Sequence, residues 1–304
     1  MSNNKAISIV CATDSNYVPH LAVMLASLAA HNPSERFDVF VLHDGVAPKL
    51  QAKVNEASAA IKLVWIPVQS EKLESLEGQL HISRATYLRL WLADLLPVDL
   101  DRVLYLDVDI VITGPVKALW DLELGSCICA AVRDFGVDQN AFVQKWTLEG
   151  SGQYFNAGVI LFDLKSLRRE HIIDRAWSAL SDPDRHCDWA DQDALNIALW
   201  GKCLPLSGNW NYQRQFLYED EKIWREQGWL GFPSIVHFTE SFKPWVKGEW
   251  HPCAWLYFKY LSKTPFKAQV LTKGTLSILD VLKLRAKWTF KRPRAFRTMQ
   301  GGAS

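Results

Sequence analysis

Strand patterns that alternate with helix patterns through the first hundred residues predict an α/β protein built on an open, mainly parallel sheet. Two further observations agree. The chain has 304 residues, of which 49% are hydrophobic, enough to fill a large core. Its strand patterns are also short, apolar and rich in β-branched residues, as strands covered on both faces must be.

In chain order, AISIVCAT is a buried strand, followed by the polar break DSNY and a helix over 19–30. FDVFVLH (37–43) and LVWIPV (63–68) repeat the strand signal around a helix over 48–60. ISRATYLRLWLADLL (82–96) has apolar residues at helical spacing, and Pro97 stops it. DRVLYLDVDIVIT (101–113) is apolar apart from its acids, so it is read as one strand. ICAAVRD (128–134) and NAGVILFDL (156–164) are further strands, and DRAWSAL and DQDALNIALW are helices. In open sheets of this kind ligands bind beyond the carboxyl ends of strands, which places the ATDSNY loop and the YLDVD acids at one candidate site.

The totals narrow the function. With 34 basic and 33 acidic residues the net charge is +1, so no nucleic-acid partner is expected. From Pro265 to Ser304, however, nine Lys or Arg accompany a single acid, Asp280. Read as a helix, 276–291 sets Asp280, Lys283, Lys287 and Lys291 on one arc and Ile278, Val281, Leu282, Leu284 and Trp288 on the other. The segment 276–297 is therefore a candidate for an anionic membrane surface. Packing on the protein's own body and a disordered nucleic-acid-binding tail are the alternatives. Six cysteines without a CxxC pair, no signal-peptide layout and no run of about 20 apolar residues predict a cytoplasmic protein, peripheral on the inner face of the membrane if the basic segment binds there.

Asp107 and Asp109 are the anomaly in the apolar strand, since a buried unpaired carboxylate is costly. Alternation along a strand would put Tyr105, Asp107 and Asp109 on one side. Two hard oxygen donors at that spacing suit a divalent ion and, through it, a phosphate-bearing substrate. Strand-end acids capping loop amides are the other reading. His237, taken alone, is a satisfied core histidine, and Asn156 is a turn residue before a glycine.

Six ordered segments, ATDSNY, HISRATYLRL, VLYLDVDIVI, YFNAGVILFDL, DQDALN and HFTESFKPW, resemble glycosyltransferase family 8. These are retaining nucleotide-sugar hexosyltransferases, including the bacterial lipopolysaccharide galactosyl and glucosyl enzymes and the glycogenins. The resemblance implies a GT-A type, single-sheet Rossmann-like fold over 1–250, with a small helical, basic extension over 251–304. It implies Asp107, Asp109 and His237 as ligands of Mn²⁺, with Mg²⁺ as the alternative, holding the pyrophosphate of a UDP-sugar. Asp14 and Asn16 would bond the uridine, Tyr17 would stack on the uracil, backbone near Ala12 and Thr13 would complete that pocket, and Lys243 would donate to the phosphates.

Arg89, Asn156, Asp191 and Gln192 would position the donor hexose, glucose or galactose, with Asp191 and Gln192 closest to the chemistry. His81 and Trp189 would contact the saccharide or lipid-linked saccharide acceptor. Gln192 is an amide and a weak nucleophile, so front-face attack assisted by the leaving phosphate is the expected route to retention. Glu240 departs from the family, which often has glycine there; it is read as an exposed loop acid, as facing acceptor or solvent, or as a sign of altered donor handling. Glycogenin-like self-glucosylation and non-catalytic nucleotide-sugar binding are the competing readings.

Overall fold

The computed structural model describes residues 6–69, 84–218, 232–241, 243–246, 251, 253–272, and 279, 280, 282, 283 and 286. A seven-stranded sheet runs in the order β3-β2-β1-β4-β7-β6-β8. Its strands are β1 (Ile7–Asp14), β2 (Phe37–Asp44), β3 (Lys62–Pro67), β4 (Arg102–Leu106), β6 (Cys129–Arg133), β7 (Phe155–Asp163) and β8 (Cys203–Leu206). A two-stranded sheet pairs β5 (Ile110–Ile112) with β9 (Ile235–His237).

The β1–β2, β2–β3, β1–β4 and β6–β8 pairs are parallel. β7 is antiparallel to both β4 and β6, so the sheet is mixed where a mainly parallel one was expected. One consequence is functional. The carboxyl ends of β1, β4 and β6 share an edge with the amino end of β7, which brings Asp107, Asp134 and Asn156 together.

Side chains alternate across the sheet. Ile7, Ile9 and Cys11 of β1, with Leu104, Leu106, Val159 and Leu161, pack toward α1 (Val18–His31). Val10, Val103, Tyr105, Ile160 and Phe162 face the opposite core. That second core is closed by a 3-10 segment (Arg84–Trp91) and by the helices Ile172–Leu180 and Ala190–Ala198.

Two expected elements differ. The helix read over 82–96 is wound as a 3-10 segment to Trp91 and as an α-turn only over Leu92–Leu95. Its tight winding buries Tyr87, Leu88 and Leu90 in the core while Arg89 reaches back to the Thr86 carbonyl. The strand read over 101–113 breaks after Leu106, and its second half pairs with β9 in the other sheet.

Beyond the sheet, Ala254, Tyr257, Tyr260 and Val270 of the C-terminal helices Ala254–Leu261 and Lys267–Thr272, with Phe266 in the turn between them, are buried against the α1 side. Described positions 279, 280, 282, 283 and 286 are helical, and the rest of 276–297 lies outside the described residues. No helix among the described residues is long and apolar enough to cross a membrane.

Aromatic packing ties this C-terminal layer to the cleft side. His20 of α1 stacks on Trp245 at 3.6 Å and its Nδ1 lies 2.7 Å from the Tyr257 hydroxyl. Burial lowers His20 from 6.5 to about 3, with Asp109 opposing and Lys243 reinforcing the shift. Burial likewise lowers His251 to about 3, helped by Arg214, Lys243 and His237.

Both rings are neutral in the fold, whereas the unfolded chain takes up protons below pH 6.5, so stability falls as pH drops from 6.5 toward 3. At pH 5 each histidine is expected to cost about 2 kcal/mol. Urea unfolding at pH 7 and pH 5 checks this, because His20→Gln should shrink the difference between the two pH values by about 2 kcal/mol whatever it does at pH 7. An unchanged difference would contradict the assignment.

Candidate active site

β4 ends at Leu106, and Asp107, Val108 and Asp109 form the link between the two sheets. Backbone bonds pin the link at both ends: Asp107 N donates to Gly158 O at 2.8 Å, and Phe238 N donates to Asp109 O at 3.0 Å. The two acids therefore converge because the chain changes sheet between them. The expected alternation along one continuous strand is not the cause, although Tyr105 does donate to Asp107 Oδ1 at 2.7 Å.

His237 is the last residue of β9 and stands opposite Ile110. Its Nε2 lies 3.2 Å from Asp109 Oδ1 and 3.7 Å from Asp107 Oδ2. All three potential ligand atoms fall within 4.8 Å of one another. Gly158 makes this approach possible. A Cβ there would sit 2.1 Å from His237 Cε1 and 2.9 Å from Asp107 Oδ2.

Two cations balance the acids. Arg89, buried, places Nη2 3.2 Å from Asp107 Oδ1 and Nε 2.5 Å from Asp191 Oδ2, while Nη1 donates to Ala157 O at 2.5 Å. Lys243 places Nζ 2.5 Å from Asp109 Oδ2 and donates to Phe238 O at 2.6 Å. Burial alone would raise the Asp109 carboxyl, but Lys243 and then His237 hold it well below the usual carboxylate range. Burial pushes the Asp191 carboxyl up to about 7, against the pull of Arg89 and with the Asp107 charge adding to the rise.

The cleft holds about 420 Å³. Of the residues singled out in the sequence, Ala12, Tyr17, Arg89, Asp107, Asp109, Asn156, Trp189, Asp191, Gln192, His237 and Lys243 line it. Thr13 is fully buried, and Asp14 turns Oδ1 onto the backbone N–H groups of Asn16 and Tyr17 at the start of α1. Neither these two nor Asn16 is part of the cleft wall. Tyr17 is held as a neutral phenol: burial, then Asp109, Asp14 and Asp107, push it up to about 12. Trp189 is 52% exposed at the lip, and His81 lies outside the described residues.

Glu240 also lines the cleft, with φ of 65°, and its carboxylate lies 3.6 Å from Arg214 Nη1. That left-handed backbone explains why glycine suits the position, since a non-glycine residue there costs roughly 1 kcal/mol. The Arg214 guanidinium partly offsets the added charge of Glu240.

Sequence reasoning missed Asp134. It is a buried hub that accepts from Gly136 N at 2.8 Å, Gln215 Nε2 at 3.0 Å, Asn156 Nδ2 at 3.0 Å and Gln192 Nε2 at 3.2 Å. The signal was available, since it follows β6 just as Asp107 follows β4. Asn211 and Gln213, fully buried in the NYQRQ run, carry no such periodic signal.

Comparison with known proteins places this geometry. The glycosyl transferase family 8 model matches residues 8–248, and the chain belongs to that family. It is thereby a glycosyltransferase. General stress protein A of Bacillus subtilis is 29% identical over 281 residues, covering 87% of this chain and 96% of that protein. Lipopolysaccharide 1,2-glucosyltransferase of Escherichia coli is 28% identical, covering 88% and 81%. Lipopolysaccharide 1,3-galactosyltransferase of Salmonella typhimurium is 29% identical, covering 96% and 88%. Among solved structures, the galactosyltransferase LgtC in complex with donor and acceptor sugar analogs superposes with a TM-score of 0.75 at 26% identity, covering 86% of this chain and all of that one. The fold is therefore the GT-A fold expected from the sequence.

Proposed function

We propose that this chain is a metal-dependent, retaining hexosyltransferase that moves glucose or galactose from a UDP-sugar to the saccharide acceptor of a surface glycan. The observation that carries the proposal is the Asp107, Asp109 and His237 cluster, whose ligand atoms lie within 4.8 Å of one another in the cleft wall. Two hard oxygens and an imidazole nitrogen suit Mn²⁺, with Mg²⁺ as the alternative. The close approach that Gly158 permits is what such a site needs. The lipopolysaccharide relatives support the choice of acceptor class. Residues 1–250 would form the catalytic domain and 251–304 the extension.

Bound at these residues, a divalent ion supplies Lewis-acid neutralisation of charge on the departing diphosphate. Lys243 adds a donated hydrogen bond and a positive charge to the same phosphates. Tyr17 offers its ring to the base, while Asp14, Asn16 and the backbone at Ala12 and Thr13 lie beside it for the uridine. Arg89, Asn156 and Asp191 orient the hexose. Trp189 and His81 would meet the acceptor. Gln192 Oε1 already accepts from Ala157 N at 3.0 Å, and Asp191 is paired with Arg89. Both facts favour attack from the face that the leaving group departs, with the phosphate taking the acceptor's proton.

UDP release tests the proposal directly, using UDP-glucose, UDP-galactose and UDP-galacturonic acid with Mn²⁺. Release is expected with at least one donor. Asp109→Ala, His237→Ala or excess chelator should each reduce it by at least about 100-fold, the upper end of losses seen when metal-site support is removed, with far-UV circular dichroism unchanged. Full activity in either variant would contradict the metal assignment.

The basic segment 276–297 is proposed to rest on an anionic membrane surface. In support, Leu279 and Leu282 are 66% and 55% exposed on a helical stretch, and Lys283 is exposed beside them. Because Phe266 and Val270 belong to the core, the informative truncation ends at Thr272. The full chain should cosediment with vesicles containing phosphatidylglycerol at least about tenfold more than the truncated one. Equal binding would remove the idea.

A further inference from the structure

A buried chain of amides links the cleft wall to the imidazole of His237, and its polarity follows from groups that can act in only one sense. Gly158 N, a backbone donor, bonds Asn156 Oδ1 at 3.0 Å. Asn156 Nδ2 bonds the Asp134 carboxylate at 3.0 Å. The orientation of Asn156 is thereby fixed, with its oxygen toward Gly158.

Asn211 meets that same Asn156 oxygen at 2.8 Å, so it must present its NH₂ there. Its own oxygen then faces His237 Nδ1 at 2.9 Å. An amide oxygen only accepts, so His237 Nδ1 carries the hydrogen. In the neutral ring the lone pair is left on Nε2, the atom 3.2 Å from Asp109 Oδ1 and 3.7 Å from Asp107 Oδ2. Three acceptor atoms then lie within 4.8 Å of one another, a set that one shared cation would satisfy.

We propose that Asn211 is a positioning residue: it holds the His237 ring in the Nδ1–H tautomer and so aims Nε2 at the cation position between Asp107 and Asp109. The inference rests on the metal reading above. Asn211 is fully buried, as is most of His237, so water does not substitute for the amide oxygen. Asp134 closes the far end of the chain and also receives Gln192 Nε2, so the metal end and the sugar end of the cleft are oriented from one carboxylate.

Two variants of the full chain separate positioning from bulk stability. Asn211→Leu keeps the volume and removes both amide groups. Asn211→Asp keeps an acceptor for His237 Nδ1–H while setting a carboxylate oxygen against Asn156 Oδ1 in place of the donor. Mn²⁺ affinity in the presence of UDP is measured from the electron paramagnetic resonance signal of the free ion, and the His237 tautomer from its long-range ¹H–¹⁵N spectrum in the neutral, metal-free ring.

Asn211→Leu should lose about 10- to 100-fold in Mn²⁺ affinity and lose the exclusive Nδ1–H pattern. Asn211→Asp should keep that pattern and stay within about threefold of the wild type in affinity, since the bond that orients the ligand survives. A wild-type ring found as Nε2–H, an Asn211→Leu variant unchanged in both measurements, or equal losses in the two variants would overturn the proposal. Wild-type protein that shows the Nδ1–H pattern yet takes up no Mn²⁺ with UDP would instead refute the metal reading and leave the tautomer lock standing.

Discussion

Two carboxylates and an imidazole nitrogen forced to within 4.8 Å of one another set the terms for everything around them. Negative charge gathered in a partly buried place must be balanced, and the structure does so with one cation for each acid, Arg89 on Asp107 and Lys243 on Asp109. Those same two cations face a cleft suited to an anionic nucleotide sugar. On the proposed reading each cation would have a second task, Lys243 at the diphosphate and Arg89 at the hexose.

The fold produces the convergence through a change of sheet. β4 carries the chain to the binding edge, the Asp107–Asp109 link crosses over, and β5 continues in a separate ladder with β9. Pairing of Ile110 with His237 delivers the third group, and β7 supplies a glycine where any Cβ would collide with it. Antiparallel insertion of β7 is equally consequential. It reverses one strand so that Asn156 enters the site at a strand's amino end, beside Asp134 at the carboxyl end of β6.

Much of this was legible in the residues. Apolar, β-branched runs located β1 to β4, β6 and β7, and the resemblance to family 8 named about half of the cleft wall. The continuity of 101–113 misled, because an apolar run of that length reads as one strand even when its halves pair in different sheets. The direction of β7 was also hidden, since strand patterns carry no sign of polarity without the intervening connection. Asp134 could have been found by the argument applied to Asp107, an acid just past an apolar strand. Asn211 could not, because its importance lies in bonds to Asn156 and His237, which are distant in sequence and joined only by the fold.

Anomalous diffraction from crystals grown with Mn²⁺ and UDP addresses the central claim most directly. The account predicts a peak at about 2.0–2.4 Å from an oxygen of Asp107, an oxygen of Asp109 and His237 Nε2, within the range of such ligand distances. No peak at saturating Mn²⁺ and UDP, or one bound elsewhere that leaves His237 out, would contradict it.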